Sequence, residues 1–359
     1  MARMIIFGGK SVESGISVIT ALQAAEYFTG AKLIYIDNDK WKLVKHGCTP
    51  ADLSDPKFLE KCPEARLLTD GYIYIRRGWR WEKKFRAESV LNCCHGGAGE
   101  NGELSGFLKT CGVLVINGGI VQQAVSMDKA VAKVFFRGLG LPVVEGMTVS
   151  KKEFAAEPRK TVDKICDEIG LPAVIKPVGG GSSIAVAPAT DKEELYEALA
   201  AAFEFDITVL IERELKDFIE VNVAVYEKEN GIECSLPEKP IRAGEILDFN
   251  DKYRVFGKGG GKREFPYETP FASEITKAAE LIYKSLSGEG IMRADFLIEG
   301  DKWYINEINA LPGSMSFYLF PDKNPSEMLE ESEKVARAKA EEKEKLIYSY
   351  NAGDITGKK

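Results

Sequence analysis

The chain of 359 residues carries 48 Lys and Arg against 55 Asp and Glu, a net charge of −7. That balance argues against general affinity for nucleic-acid phosphates, which need a basic footprint. Hydrophobic content of 45% with 29% charged residues is ordinary for a soluble globular protein, and the length fits two or three domains. The cysteines (Cys48, Cys62, Cys93, Cys94, Cys111, Cys166, Cys234) include no CxxC pair, and no apolar run nears the roughly 20 residues of a spanning helix. With "MARMIIFGGKS" too brief for a signal segment, a cytoplasmic protein with no membrane or nucleic-acid partner is expected.

In chain order, "MIIFGG" (4–9) reads as a buried strand, "SGISVITALQAAEYF" (14–28) as a helix and "AKLIYIDN" (31–38) as a strand. Strand, helix and strand in succession predict a βαβ unit and a parallel sheet. "ESVLNCCHGG" (88–97) is another strand ending in glycines, "GELSGFLKTCG" (102–112) a helix and "VLVING" (113–118) a strand, so residues 1–120 form an α/β domain. His95 then stands at the carboxyl edge of the sheet, where open α/β sheets bind ligands; a structural histidine is the alternative.

"AVSMDKAVAKVFFRGLG" (124–140) predicts one helix opening a second unit, 121–210. Within it "LPAVIKPVGGGSSIAVAPA" (171–189) reads as two strands joined by a glycine-rich turn, and "DKEELYEALAAAFEF" (191–205) as a helix capped by Asp191. Lys129 and Lys176 are candidates for polyphosphate contact. Lys176 lies in a strand too apolar for an exposed lysine, and the glycines after it let backbone approach an anion. The Walker pattern GxxxxGK[ST] is absent. A third unit, 211–325, contains the irregular "RVFGKGGGKREFPYETP" (254–270), and 326–359 is a charged helical tail read as a solvated surface helix.

The third unit closes with "RADFLIEGDKWYINEINALPG" (293–313), two strands interrupted by Asp295, Glu307 and Asn309. Pairing about Asp301 sets Asp295 opposite Glu307 and Arg293 opposite Asn309, with Ala294, Phe296, Ile298, Tyr304 and Ile308 on the core face and Asn306 the misfit there. Two carboxylates on one face repel unless a cation intervenes, and hard Mg²⁺ takes oxygen ligands of this kind. A polar face balanced by Arg293 is the alternative.

Set side by side, these segments resemble the D-alanine–D-alanine ligases of the ATP-grasp superfamily. "FGGKSVESGIS" is similar to the family's FGGxSxExxVS, "HGGAGENGELSGFL" to HGxxGEDGxxQGxL, and "AVSMDKAVAK" to A-x-x-MDK. "VIKPVGGGSSIAV" resembles KPxxxGSSxG, "DFNDKY" resembles DYxxKY, and the closing hairpin resembles RxDF…NExNTxPG. The resemblance covers about residues 4–321 and implies an ATP-grasp fold behind a Rossmann-like amino-terminal domain.

The resemblance also implies roles. Lys129, Lys176 and Lys252 would contact ATP phosphates, Glu212 and the Arg213–Leu215 backbone the adenine, and Glu220 the ribose. Asp295, Glu307 and Asn309 would hold two Mg²⁺ ions, with Mn²⁺ as the alternative. Glu13 would bind the ammonium of a first D-alanine, linked to Ser182 and Tyr253, with His95 nearby. Arg293 and the Gly313 N–H would stabilise the oxyanion of acyl transfer, and the loop around 250–265 would act as a lid. ATP would convert the first D-alanine to an acyl phosphate, which the second attacks, serving peptidoglycan precursor synthesis. Tyr253 argues for an amine acceptor, since the D-lactate-using relatives generally lack it. Family members are commonly homodimers.

The pattern departs at "PGSMSFYLFP", where the family reads PGxTxxSxxP. Tyr318 stands for the serine that holds the acceptor's carboxylate, and Met315 for the threonine. An acceptor such as D-serine, or a nucleotide-binding relative without ligase activity, are the alternatives.

Overall fold

The computed structural model describes residues 2–181, 184–241 and 263–346. The first strand, β1 (Ala2–Gly8), has Met4, Ile5, Ile6 and Phe7 fully buried, as a strand covered on both faces requires. It pairs in parallel with β2 (Lys32–Asp37) and with β6 (Arg80–Asn92). Between them β3 (Lys40–Val44), β4 (Glu64–Leu67) and β5 (Tyr72–Arg77) run antiparallel, and β7 (Leu114–Val115) adds in parallel to β6. The sheet is therefore mixed, a correction to the wholly parallel expectation. Two tight turns join β2 to β3 and β4 to β5, and a longer link with two short helices, Pro50–Leu53 and Pro56–Lys61, returns β4 antiparallel beside β3.

The helix Ser14–Tyr27 buries Ile16, Val18, Ala21 and Ala24. Past the end of β6 the backbone is pinned by Asn117: the Asn92 N–H donates to Asn117 Oδ1 and Asn117 Nδ2 to the Asn92 carbonyl, both at 2.8 Å. His95 and the glycines after it are thereby held at the carboxyl edge.

The helix predicted over 124–140 is broken in two, Ile120–Met127 and Lys129–Gly138. Asp128 is extended and its carboxylate accepts from the Val131 N–H, starting the second helix afresh. The second lobe is an antiparallel sheet of β8 (Gly146–Ser150), β9 (Ala173–Pro177), β10 (Ala187–Ala189) and β11 (Thr208–Arg213) in the order β10-β9-β11-β8. Asp191 caps the helix Lys192–Ala202 as expected, accepting from the Glu194 N–H.

The third sheet joins β12 (Ile219–Lys228) and β13 (Gly231–Cys234) to the closing hairpin in the order β13-β12-β16-β17. Here β14 (Lys239–Pro240) and β15 (Arg263–Glu264) form a separate pair, and β16 (Met292–Glu299) and β17 (Lys302–Asn309) are the hairpin.

The tail is helical over Pro325–Glu344, but it is not simply solvated. Met328, Leu329 and Ala336 enter the core cluster of β1 and the first helix, beside Ile5, Phe7 and Phe28. The buried Glu333 accepts from Ser89 Oγ at 2.6 Å and pairs with Arg3 at 2.6 Å. A one-sided apolar stripe inside a charge-rich segment explains the difference. Among the described residues no helix is long and apolar enough to cross a membrane.

Candidate active site

The hairpin register is the one expected near its open end, Arg293 opposite Asn309 and Asp295 opposite Glu307. A bulge then pairs Phe296 with Ile305 and Leu297 with Tyr304, leaving Asn306 as the extra residue. One inserted residue inverts the face of everything beyond it. Ile305 rather than Tyr304 therefore joins Ala294, Phe296, Ile298 and Ile308 in the core, and Tyr304 packs beside Leu297 on the other face. The bulge spares the core an amide at Asn306 and keeps Glu307 and Asn309 on the Asp295 face.

Asp295 is 2% exposed and heavily engaged. Arg293 donates from Nε to Oδ1 at 2.6 Å and from Nη2 to Oδ2 at 2.7 Å, and Asn309 Nδ2 donates to Oδ2 at 2.9 Å. The guanidinium expected at an oxyanion thus forks onto the aspartate in this structure.

The first domain brings Glu13, His95 and Glu100 to the same place. A Cβ at Gly181 would stand 2.9 Å from Glu13 Oε1, and one at Gly96 2.8 Å from Glu13 Oε2 and 2.2 Å from Ser11 Oγ. At Gly96 the positive φ of 71° also favours glycine. His95 is buried, and burial together with nearby Arg293 pushes its pKa down to about 4, so the ring is neutral. Its Nε2 shares a hydrogen bond with Thr20 Oγ1 at 3.2 Å, and that oxygen also accepts from the Ser314 N–H at 3.2 Å.

Ser314 donates from Oγ to Gln23 Oε1 at 2.5 Å. These bonds hold a turn, Gly313–Leu319, in which Ser314, Met315 and Ser316 adopt φ of 50°, 53° and 50°. Left-handed backbone costs a non-glycine residue on the order of 1–2 kcal/mol, so the anchoring to the first helix offsets real strain beside Gly313. Tyr318 follows on this turn; its hydroxyl meets the Arg293 guanidinium, and the Arg263 guanidinium carbon lies 4.8 Å from its ring centre.

Two acids here escaped the sequence reading. Burial pushes the Glu100 carboxyl up to about 8, with Glu13 and Glu307 adding to the rise, against a hydrogen bond from the Gly96 N–H. Glu238 is also buried and raised by burial, with Arg293 and Arg263 opposing. Glu100 lies inside the quoted "HGGAGENG"; its burial was the missing signal.

The second lobe supplies the cations. Glu212, on β11, is 3% exposed and accepts from two lysines: Lys176 Nζ lies 2.5 Å from Oε2, and Lys133 pairs with Oε1. Burial works against the charge of Lys176, but Glu212, and behind it Glu307 and Glu220, hold its pKa above the usual value. Lys176 thus stands within electrostatic reach of the hairpin. Lys129 donates to the Gly180 carbonyl. Leu215 packs with Val144 and Leu297 in a small apolar cluster suited to a flat ring, while the Arg213 side chain turns away to Glu299 at 2.9 Å. Ser182, Lys252 and Tyr253, with most of the lid, lie outside the described residues.

The hairpin's donor set, two carboxylates and an amide, is made of oxygen ligands. That chemistry fits a hard divalent cation. No group of three or more His, Cys, Asp or Glu side chains forms a metal site among the described residues.

Two antiparallel lobes behind an α/β domain, one presenting lysines and the other carboxylates, define an ATP-grasp protein. Family profiles described as D-ala D-ala ligase N-terminus and D-ala D-ala ligase C-terminus match residues 3–117 and 135–333. A D-alanine--D-alanine ligase of Nitratiruptor sp. is 30% identical over 323 residues, 90% of each chain. The crystal structure of the ligase from Helicobacter pylori superposes with TM-score 0.74 at 23% identity, covering 93% of this chain and 98% of that one. The VanG D-Ala:D-Ser ligase from Enterococcus faecalis does so with TM-score 0.77 at 23% identity, covering 93% and 99%. The chain belongs to the D-alanine–D-alanine ligase family.

Proposed function

We propose that the protein is an ATP-dependent ligase that joins two D-alanines in the cytoplasm through an acyl phosphate, supplying the dipeptide for peptidoglycan precursors. The observation that carries this reading is Lys176, bonded to Glu212 in one lobe and within the field of Glu307 and Glu220 in the other. A polyphosphate fits between a cationic and an anionic face only with both partners present, and phosphoryl transfer depends mainly on such positioning.

Lys129, Lys176 and Lys252 contact the phosphates, Glu212 and the backbone of Arg213 to Leu215 the adenine, and Glu220 the ribose. Asp295, Glu307 and Asn309 would hold Mg²⁺, which when bound neutralises phosphate charge. Glu13 takes the ammonium of the first D-alanine, in a set with Ser182 and Tyr253. Neutral His95 cannot repel that ammonium. The Gly313 N–H and Arg293, once released from Asp295, stabilise the oxyanion of acyl transfer. Phosphate release from ATP, measured with and without D-alanine and with the dipeptide identified by mass, tests the proposal; nucleotide binding without D-alanine dependence would sink it.

Tyr318 favours a second reading of the acceptor, because its ring fills space that a serine leaves open. Tyr318→Ser should widen the acceptor range in a panel including D-serine; an unchanged profile and KM would remove Tyr318 from consideration.

A further inference from the structure

Lys133 lies at the end of the quoted "AVSMDKAVAK" but outside its A-x-x-MDK match, and it is 5% exposed beside Glu212. It follows Lys129 by four residues on the helix Lys129–Gly138, so both lysines share one face of that helix. Its ammonium donates to the Val144 carbonyl at 2.9 Å and pairs with Glu212. Lys176 takes the second oxygen of the same carboxylate at 2.5 Å.

Two buried cations thus share one buried anion. Neutralising Glu212 needs only one of them, and burying an ammonium is costly unless it is paired. A fold that required only a filled space at position 133 would be better served by an apolar side chain. Lys176 also lies within the field of Glu307 and Glu220, so Glu212 is not its sole acidic neighbour. Burial pushes the Lys133 pKa down against the pull of Glu212, whereas Lys176 is held up.

We propose that Lys133 is a positioning residue for the nucleotide's phosphate chain: by occupying one oxygen of Glu212 it leaves Lys176 incompletely bound and able to reach phosphate. The inference rests on the ATP-dependent reading above. Without Lys133, Glu212 and Lys176 form a closed neutral pair, and the pull on phosphate is lost while the adenine pocket stays intact.

The test compares K133M and K133R with the wild type. K133M should raise the KM for ATP about tenfold or more, the worth of one charge-assisted contact, with the KM for D-alanine within about twofold. ADP affinity should fall by the same factor, and adenosine affinity should not. K133R, which keeps the charge, should recover most of the loss. Equal losses for ADP and adenosine indicate a purely structural role and overturn the proposal, as does an unchanged KM for ATP.

The double variant K133M/E212Q carries the test should K133M fail to fold. Its KM for ATP should match that of E212Q, since Lys133 acts through Glu212; a further additive loss overturns the idea. Wild-type protein inactive with ATP and D-alanine would instead defeat the ligase reading, a separate outcome.

Discussion

The second lobe and the closing hairpin each gather buried charge on one face of an antiparallel sheet, but arrange it oppositely: two lysines around one carboxylate in the first, an arginine forked onto one carboxylate in the second. On β11 and its neighbours two lysines share Glu212. On the hairpin one arginine serves Asp295 while Glu307 lies across the strand from it. Lys176 lies within the field of Glu307 and Glu220, so the two clusters act on each other across the cleft.

Removing the shared anion should break the comparison most severely. Glu212→Gln leaves Lys133 and Lys176 facing each other over a neutral amide and should lower unfolding stability by about 3–5 kcal/mol in urea denaturation. A loss under about 1 kcal/mol would mean that the two lysines are not confined as described. On the hairpin side, Arg293→Ala should cost roughly 10²–10³ in turnover with nucleotide affinity largely kept. Loss of nucleotide binding in proportion would instead make Arg293 a prop for Asp295.

The smallest of these effects is a pH dependence that sharpens the hairpin's surroundings. His95 has its folded pKa lowered from 6.5 to about 4. The stability tied to its neutral form is fully present above the unfolded value of 6.5 and is lost as pH falls toward about 4, at most about 3 kcal/mol. Unfolding curves of wild type and His95→Gln should therefore converge between pH 7.5 and about 5. A constant gap would mean that the His95 pKa is not shifted by folding.

Much of the fold was legible because its signals are local. β1, the first helix and β2 announce themselves by apolar spacing and Asp191 by its capping position, while pairing about Asp301 gives the hairpin register only on the open-end side of the Asn306 bulge. What was missed depends on distant contacts. Lys133 reads as one more polar residue on a helix, and only the approach of β11 buries it against Glu212. Glu100 lies in a quoted motif, but its raised pKa comes from burial, with Glu13 and Glu307, distant in sequence, adding to it. The bulge at Asn306 was hinted at by an amide on a core face, an anomaly that a one-residue insertion resolves. The break at Asp128 had a visible capper, overridden in the reading by continuous apolar spacing on either side.

The buried Glu333 and its apolar neighbours Met328, Leu329 and Ala336 set an order on synthesis. Their partners Arg3, Ser89, Ile5 and Phe7 leave the ribosome hundreds of residues earlier. The core cluster of the opening domain also takes in Met315, Leu319 and Phe320, so it closes only after these distant segments have been made.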